Sequence, residues 1–283
     1  MATRLHAAKA ENPWGVLVLL APGLMISFVD RTSLSSALAD KAFIQHFALT
    51  NVERGWLNSA FFWSYGLLQV PMGWLVDRYG VKWPYAAFFL LWCLMAAATA
   101  MVTTLSALIL MRLLIGAAES VLIPATYRYL ADHFPEHGKG TALGIFSVGG
   151  KMGPALGAPI AARIILSASW QVMFLATGLV GLVWLAPWLL MVRNDHPTKS
   201  RLAERARSAS SVPLSNLLAS PVVWGGLINN FCYAYFNFYC MTWMPAYLVS
   251  NAACRWRSPG STRSSASPAS PRWPRWPAGR RTC

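Results

Sequence analysis

The feature that most constrains this chain is a series of seven apolar segments. Each is close to or above the roughly 20 residues that cross a bilayer as a helix. They lie near residues 14–38, 56–76, 85–103, 105–130, 141–166, 170–192 and 222–249. Lipid offers no hydrogen-bond partners to a free backbone, so such segments form either helices or a closed barrel. Runs such as AFFLLWCLMAAATAMV lack the strict alternation of barrel strands. We therefore expect an all-α membrane protein.

Composition agrees with this reading. The chain has 283 residues, of which 55% are hydrophobic and only 12% are charged, whereas soluble domains carry about 25% charged residues. Residues 14–39 end in Ala37-Leu38-Ala39 and resemble a signal peptide. The apolar stretch is too long for one, however, and Asp30 and Arg31 interrupt it, so we expect a retained helix.

The net charge of +14 follows the pattern of a membrane protein rather than a nucleic-acid-binding protein. With the N-terminus in the cytoplasm, the outer loops hold only Lys41, Arg54 and Arg163. The cytoplasmic segments hold Arg4, Lys9, Arg78, Lys82, Arg128, Lys139, Arg193, Lys199, Arg201, Arg205 and Arg207. This is the positive-inside distribution. The five cysteines show no metal or disulfide spacing, and we expect no metal and no other cofactor.

Two acids and two arginines lie deep inside the first and fourth predicted spans. Asp30 and Arg31 are in the first, and Arg112 and Glu119 share one face of the fourth, two helical turns apart. Exposed to lipid, the four would cost on the order of 10 kcal/mol, so they must face each other or a watery cavity. They are either ion pairs that lock two helices together or a functional site. Buried ion pairs stabilise poorly compared with apolar packing, so we favour the functional reading.

Further polar residues occur in the fifth and seventh spans. Lys151 adds one positive charge to the two acids and two arginines, and it either attracts an anionic ligand or reaches an interface or a backbone carbonyl. Asn230, Tyr233 and Asn237 share one face of the seventh span. They could hydrogen-bond substrate hydroxyls or hold helices together, and the sequence favours neither alternative.

The end of the chain changes character. Residues 252–283 consist only of Ala, Cys, Arg, Trp, Ser, Pro, Gly and Thr. We predict a disordered tail at 251–283 and favour the hypothesis that a reading-frame shift in a GC-rich gene replaced further helices. The remaining chain divides into a six-helix transmembrane bundle at 1–192, a cytoplasmic linker at 193–220 and a seventh helix at 221–250.

Three motifs now identify a resemblance. The segment GWLVDRYGVKW fits the pattern G-x-x-x-D-R-x-G-x-K, which resembles the loop between helices two and three of major facilitator superfamily transporters. Its positions are filled by Gly73, Asp77, Arg78, Gly80 and Lys82. Arg112 and Gly116 resemble the second motif of that superfamily. Its helix-five motif is matched by Gly140, Gly149, Gly153, Pro154 and Gly157.

Within the superfamily, DRTSLS together with R-x-x-x-G-x-x-E is similar to the anion:cation symporter family, whose members include sugar-acid permeases. The resemblance implies a six-helix bundle of two inverted three-helix repeats, followed by the first helix of the second half. It also implies a monomer in the bacterial inner membrane, which carries a small organic anion such as a sugar acid with a proton. No enzyme motif such as H-E-x-x-H appears in the spans.

A working hypothesis assigns roles to individual residues. Arg31 would clamp the substrate carboxylate, with Arg112, Lys151, Asn230, Tyr233 and Asn237 as further substrate contacts. Asp30 and Glu119 would carry protons, and protonation of Glu119 would weaken its hold on Arg112. The residues Gly73, Asp77, Arg78, Gly80 and Lys82 would gate the cytoplasmic side. Because helices eight to twelve are absent, we expect a chain that inserts without transporting; the alternative is a non-transporting membrane remnant or interaction protein.

Translating the other two reading frames past codon 251 tests the frame-shift hypothesis. We expect one of them to encode further hydrophobic spans of about 20 residues. If neither frame does, the hypothesis is wrong and the arginine-rich tail is the natural continuation of the chain.

Overall fold

The computed structural model describes residues 13–193 and 214–255, and its elements in that part of the chain are all helices joined by short turns, with no strand. A 3₁₀ turn at Thr99–Met101 extends the fourth helix. The ten α-helices are α1 Pro13–Ala37, α2 Lys41–His46, α3 Asn51–Tyr79, α4 Lys82–Ala98, α5 Leu105–Glu119, α6 Leu122–His133, α7 Glu136–Ser167, α8 Trp170–Met191, α9 Leu214–Leu218 and α10 Pro221–Arg255. The predicted all-α class is confirmed.

Side-chain caps set where several helices begin. The Asp40 carboxylate accepts a hydrogen bond in the first turn of α2, and Thr104 and Ser169 do the same for α5 and α8. At the start of α3, Thr50 and Glu53 form a reciprocal capping box. Each cap satisfies backbone N–H groups that a helix start leaves without partners.

The fourth predicted span is two helices rather than one. α5 ends at Glu119 and α6 begins at Leu122. Pro124 has no N–H to donate to the carbonyl of Ser120 four residues earlier, and its ring crowds that carbonyl. The interruption therefore falls immediately after Glu119, which ends α5 at a charged residue.

Four described segments are long and apolar enough to cross a membrane: Pro13–Ala37, Lys82–Met101, Leu105–His133 and Trp170–Met191. The other three predicted spans coincide with α3, α7 and α10, which have 29, 32 and 35 residues. These helices are long enough, but glycine, tyrosine, tryptophan and asparagine lower their mean hydropathy.

The spans of the bundle form two triplets of helices, and each span of one triplet packs against a span of the other. The first triplet is α1, α3 and α4, and the second is α5 with α6, α7 and α8. The most extensive contacts join α1 to α7, α3 to α5 and α4 to α8. The leading helix of each triplet thus packs on the middle helix of the other, and the third helices pack on each other. This exchange is what two inverted repeats require.

Glycines allow the closest of these approaches. A methyl group at Gly149 would overlap the Ala21 carbonyl, and one at Gly153 would lie 2.5 Å from Cβ of Phe28. One at Gly116 would overlap the carbonyl of Phe61 in α3. Small residues are the usual means of close helix packing in lipid, where the hydrophobic effect does not drive helices together.

Aromatic side chains pack α4 against α8. This contact lies on the side of α1 that does not face α7. Tyr85 stacks on Trp188 and Phe89 packs on Trp184, each with ring centroids 4.4 Å apart. The indole N–H of Trp184 donates to the Leu19 carbonyl at 2.9 Å, which ties this cluster to α1. These contacts fix the position of α1, on which Asp30 and Arg31 lie.

The linker and the tail lie largely outside the described residues. The predicted linker at 193–220 contains the short helix α9, and residues 194–213 are not among those described. The seventh span runs to Arg255 rather than ending near residue 250. The predicted disorder and frame shift concern a segment of which residues 256–283 lie outside the described part.

Alanine substitutions at two glycines of α7 should have opposite effects on stability. Gly144→Ala enters open space and should stabilise by up to about 1 kcal/mol through helix propensity. Gly149→Ala should destabilise by about 1–3 kcal/mol, because the backbone of α1 cannot yield. The midpoint of thermal unfolding in detergent, followed by tryptophan fluorescence, measures both. Equal midpoints for the two variants would contradict the glycine contact between α1 and α7.

Candidate functional site

The four charged residues of α1 and α5 meet in the centre of the bundle as two ion pairs. The Arg31 guanidinium lies 2.7 Å from Oε2 of Glu119, and Arg112 Nη1 lies 3.8 Å from Oδ2 of Asp30. No more than 10% of any of these four side chains is exposed. The charges therefore face each other, as the cost of exposing them to lipid requires.

The pairing is crossed between the two helices, and this corrects one expectation. Arg112 and Glu119 share a face of α5, which suggested that Glu119 holds Arg112. Instead Glu119 binds Arg31 of α1, and Arg112 faces Asp30. Two residues seven positions apart on one helix are about 10 Å apart along its axis, which is too far for a direct ion pair.

The two ion pairs differ in how many hydrogen bonds their charged groups form. Glu119 Oε2 accepts hydrogen bonds from Nε and Nη2 of Arg31 and from Oγ of Ser27, the last at 2.7 Å. Neither Asp30 oxygen has a hydrogen-bond partner in the described part of the chain, nor do Nε and Nη2 of Arg112 or Oε1 of Glu119. Buried polar atoms without partners are costly, so this centre has the capacity to bind protons or water.

Aromatic rings surround the Arg31 guanidinium. Its central carbon lies 4.8 Å from the ring centroid of Phe28, 5.0 Å from those of Phe61 and Tyr65, and 5.9 Å from that of Phe238. Such contacts favour a cation in a site with little water. Phe238 belongs to α10, so the seventh helix takes part in the environment of Arg31.

A cavity of about 430 Å³ opens beside Arg31 between the bundle and α10. This volume is within the range of small-molecule sites. Five of the six predicted substrate contacts line it, namely Arg31, Lys151, Asn230, Tyr233 and Asn237. Its wall contains no aspartate or glutamate. Half of the wall is apolar or aromatic, with Phe62 and Ile123 among its members, and the other half combines two cations with neutral polar groups. This combination suits a small organic anion.

Arg112 is the exception among the six. It lines a separate crevice of about 20 Å³, which also touches Arg31. That space is too small for more than water. Arg112 therefore lies behind Arg31 rather than on the wall of the larger cavity.

Lys151 bridges α7 and α10. Its ammonium group donates to the Tyr233 hydroxyl and lies 4.8 Å from the centroid of the same ring. Within residues 13–193 and 214–255 it makes no ion pair. The sequence left open whether Lys151 faces a ligand site or an interface, and in the structure it lines the cavity.

The loop motif is built around Gly80 and Asp77. Gly80 ends α3 with φ of 84°, a conformation that favours glycine, and its N–H donates to the Val76 carbonyl at 2.9 Å. Asp77 forms an ion pair with Arg128 of α6, whose Nε also donates to Asp132 at 2.8 Å. The motif therefore ties α3 to α6.

The other members of the motif lie at the surface of this corner. The Arg78 guanidinium lies 5.3 Å from the Trp74 ring, and the Lys82 ammonium lies 5.6 Å from the Trp83 ring. Gly73 faces Pro124 of α6, which a methyl group would contact at 3.9 Å. The predicted gating role of this set stays a prediction.

Several polar residues of the site were missed by reasoning from sequence. Ser27 precedes Arg31 by one turn of α1, and Tyr65 and Gln69 are one turn apart on α3, so helical spacing in a polar stripe could have indicated them. No comparable signal marks Arg128. The cavity also contains two further polar side chains, Tyr127 and Ser147.

With this geometry described, the chain can be compared with known proteins. The family model of the Major Facilitator Superfamily matches residues 20–257. The chain belongs to the Major Facilitator Superfamily. Its predicted family membership is thereby confirmed.

Similar proteins include transporters of sugar acids. A hexuronate transporter of Bacillus subtilis is 28% identical over 239 residues, which cover 83% of this chain and 56% of that protein. A probable L-galactonate transporter of Escherichia coli K12 is 28% identical over 243 residues, covering 82% and 53%. The chain spans little more than half the length of these curated relatives.

Among solved structures, a bacterial homologue of the human lysosomal transporter Spinster, inward-facing and unoccupied, aligns with a TM-score of 0.66. The identity is 19%, and the match covers 87% of this chain and 59% of the other. At this identity the likeness concerns the fold alone, which agrees with the helix pairing described above.

Double-mutant cycles should give different coupling energies for the two buried ion pairs. We expect Arg31→Met or Glu119→Met alone to destabilise by about 3–5 kcal/mol and the double variant by much less, because each single change leaves a buried charge alone. The coupling of Asp30 with Arg112 should be smaller, because their groups are 3.8 Å apart without a hydrogen bond.

Chemical unfolding in detergent measures the couplings. The exposed pair of Glu136 and Lys139 is the control, for which we expect at most about 1 kcal/mol. A stronger coupling for Asp30 with Arg112 than for Arg31 with Glu119 would contradict this ranking, and a strong coupling of Arg112 with Glu119 would contradict the crossed arrangement.

Proposed function

We propose that this chain is the anion-binding half of a proton-coupled symporter for sugar acids such as hexuronates and aldonates. The observation that carries the proposal is the composition of the cavity wall. The wall contains two cations, Arg31 and Lys151, and no aspartate or glutamate. It also contains the polar side chains of Asn230, Tyr233 and Asn237. The names of the similar hexuronate and L-galactonate transporters support the same substrate class.

Arg31 would bind the substrate carboxylate. A guanidinium can donate two parallel hydrogen bonds to the two oxygens of a carboxylate. In the structure Arg31 directs both Nε and Nη2 at a single oxygen of Glu119, Oε2. Substrate and Glu119 would compete for these donors. Protonation of Glu119 would remove its charge and release Arg31, so that proton binding and anion binding favour each other.

Asp30 would be a second proton carrier. Its oxygens are buried without hydrogen bonds, and Arg112 lies 3.8 Å away. Water admitted with substrate would hydrate this centre through the crevice that Arg31 and Arg112 share. Arg112 would then set the charge on Asp30 rather than touch the substrate.

Neutral polar groups would recognise the hydroxyls of the cargo. The amides of Asn230, Asn237 and Gln69 each offer donors and an acceptor, and Tyr127 and Ser147 add hydroxyl groups. A sugar acid presents one hydroxyl on almost every carbon. An aromatic acid would leave these groups unpaired, at a cost in affinity.

The remaining assignments concern the whole transporter. The chain would be a monomer in the bacterial inner membrane with its N-terminus in the cytoplasm, which places the Asp77 and Arg128 pair on the cytoplasmic side. There the loop motif would gate the pathway. Alternating access needs two halves that rock about the central site, so this chain would bind its cargo without carrying it across.

Binding of galacturonate to the purified 283-residue chain, measured by calorimetry, tests the proposal. We expect affinity to fall as pH rises, with proton uptake on binding, because anion and proton stabilise each other. Arg31→Gln should weaken binding at least tenfold, about 1.4 kcal/mol, and Glu119→Gln should remove most of the pH dependence. Arg163→Gln, an exposed change of equal charge, is the control.

Proteoliposomes supply the second measurement. We expect no accumulation of labelled galacturonate under an inward proton gradient. Accumulation that Arg31→Gln abolishes would show that the chain transports. Absence of binding at every pH by a folded chain would contradict the anion site and favour an interaction protein.

A further inference from the structure

The Glu119 carboxylate is held by only one of its two oxygens. Oε2 accepts hydrogen bonds from Nη2 of Arg31 at 2.7 Å, from Nε of Arg31 at 3.2 Å and from Oγ of Ser27 at 2.7 Å. Oε1 is buried and has no hydrogen-bond partner among the described residues. One oxygen therefore receives all three hydrogen bonds, and the lone pairs of the other stay unused.

Ser27 differs from the neighbouring hydroxyl residues of α1 in its choice of partner. The hydroxyls of Thr32, Ser33 and Ser36 donate to carbonyl groups of α1 itself. Backbone bonding of this kind is usual for serine and threonine inside a helix. Ser27 is 1% exposed, and its hydroxyl instead crosses to a carboxylate of α5. Its hydrogen bond therefore serves Glu119 rather than the backbone of its own helix.

Ser27 and Arg31 approach Glu119 from the same helix. They are four residues apart on α1, so their side chains lie on one face, about one turn from each other. Arg31 also lines the cavity, whereas Ser27 is not part of the cavity wall that the described residues form. Only one of the two donors can thus turn to a bound anion.

Protonation of Glu119 would affect these two donors differently. A proton fits on Oε1, because Oε2 already faces three donors. In the neutral carboxyl group, Oε2 is the carbonyl oxygen and can still accept from the Ser27 hydroxyl. Charge-assisted hydrogen bonds are roughly twice as strong as neutral ones, so both donors would be held less firmly. Arg31 has an ionic alternative in the cargo, and Ser27 has none.

Other charged and titratable groups surround Glu119 on four helices. They are Asp30 and Arg31 of α1, Tyr65 of α3 beside Arg31, Tyr85 and Cys93 of α4, and Arg112 of α5. Within the described ranges, hydrogen bonds to the carboxylate come from Arg31 and Ser27 alone. Ser27 is uncharged, so its hydroxyl can be removed without changing the balance of charge in this centre.

We propose that Ser27 is a positioning residue for Glu119, which keeps the carboxyl group in place on α1 while a proton binds to Oε1 and Arg31 leaves. This inference rests on the proposed function, in which protonation of Glu119 releases Arg31 to the anion. A hydrogen bond to the charged form favours that form. Ser27 therefore also sets the pH at which Arg31 becomes available.

Infrared spectroscopy of the purified 283-residue chain, without ligand, tests the contact directly. The part of the protonated-carboxyl band that Glu119→Gln removes belongs to Glu119. We expect Ser27→Ala to move this band to higher frequency, because the carbonyl oxygen loses a hydrogen bond. A band at unchanged frequency would overturn the assignment of Ser27.

The pH profile of galacturonate binding, measured by calorimetry, tests the consequence. We expect Ser27→Ala to move the midpoint of the profile up by about one pH unit, because the charged carboxylate loses a donor. Affinity at low pH should change less than threefold. In the Glu119→Gln background, Ser27→Ala should have no further effect on the profile.

Ser33→Ala is the matched control, since Ser33 is fully buried on the same helix and donates to the Val29 carbonyl at 2.8 Å. It should leave the band and the midpoint unchanged. Equal effects of Ser27→Ala and Ser33→Ala, or a shift that persists without Glu119, would overturn the inference. Binding without pH dependence in the unaltered chain would overturn the proposed proton coupling, and the frequency of the band would still report on Ser27.

Discussion

The burial of four charges between two helices is the constraint on which the rest of this structure depends. Asp30 and Arg31 on α1 meet Arg112 and Glu119 on α5 in crossed pairs, and a bilayer would not tolerate any of them alone. Ion pairs of this kind contribute little net stability compared with apolar packing. The scaffold around them must therefore hold the charges together by other contacts, and those contacts decide which charge meets which.

Those contacts are the close helix crossings. Glycines bring α7 against α1 and α5 against α3, so that the leading helix of each triplet is held by the middle helix of the other. The aromatic cluster of Tyr85, Phe89, Trp184 and Trp188 fixes α1 from its other side. The break after Glu119, caused by Pro124, ends α5 where the carboxylate faces Arg31. Packing and helix termination thus set the geometry of the charged centre.

This hierarchy explains what the sequence predicted and what it did not. Length and hydropathy located the six spans of the bundle, though not the short helix α2 or the break between α5 and α6. The cost of charge in lipid predicted that the four ionic residues meet. The partner of each charge depends on the rotation of α1 relative to α5, which no local pattern encodes, so Glu119 was assigned to Arg112. The ion pair of Arg128 was not predicted either, because its partner Asp77 lies 51 residues away on another helix. The interruption in the fourth span was readable from Pro124, but apolar composition concealed it.

The position of α10 sets the shape of the cavity beside Arg31. Asn230, Tyr233, Asn237 and Phe238 all come from this helix, and they complete the wall of the cavity and the aromatic surroundings of Arg31. One helix after the six-helix bundle is therefore enough to close one side of this cavity. In the proposed function, binding of the anion would use this wall, whereas alternating access would need two bundles that rock about it. The shape of the cavity and the movement of a cargo are thus separate requirements, and the packing of α10 bears on the first.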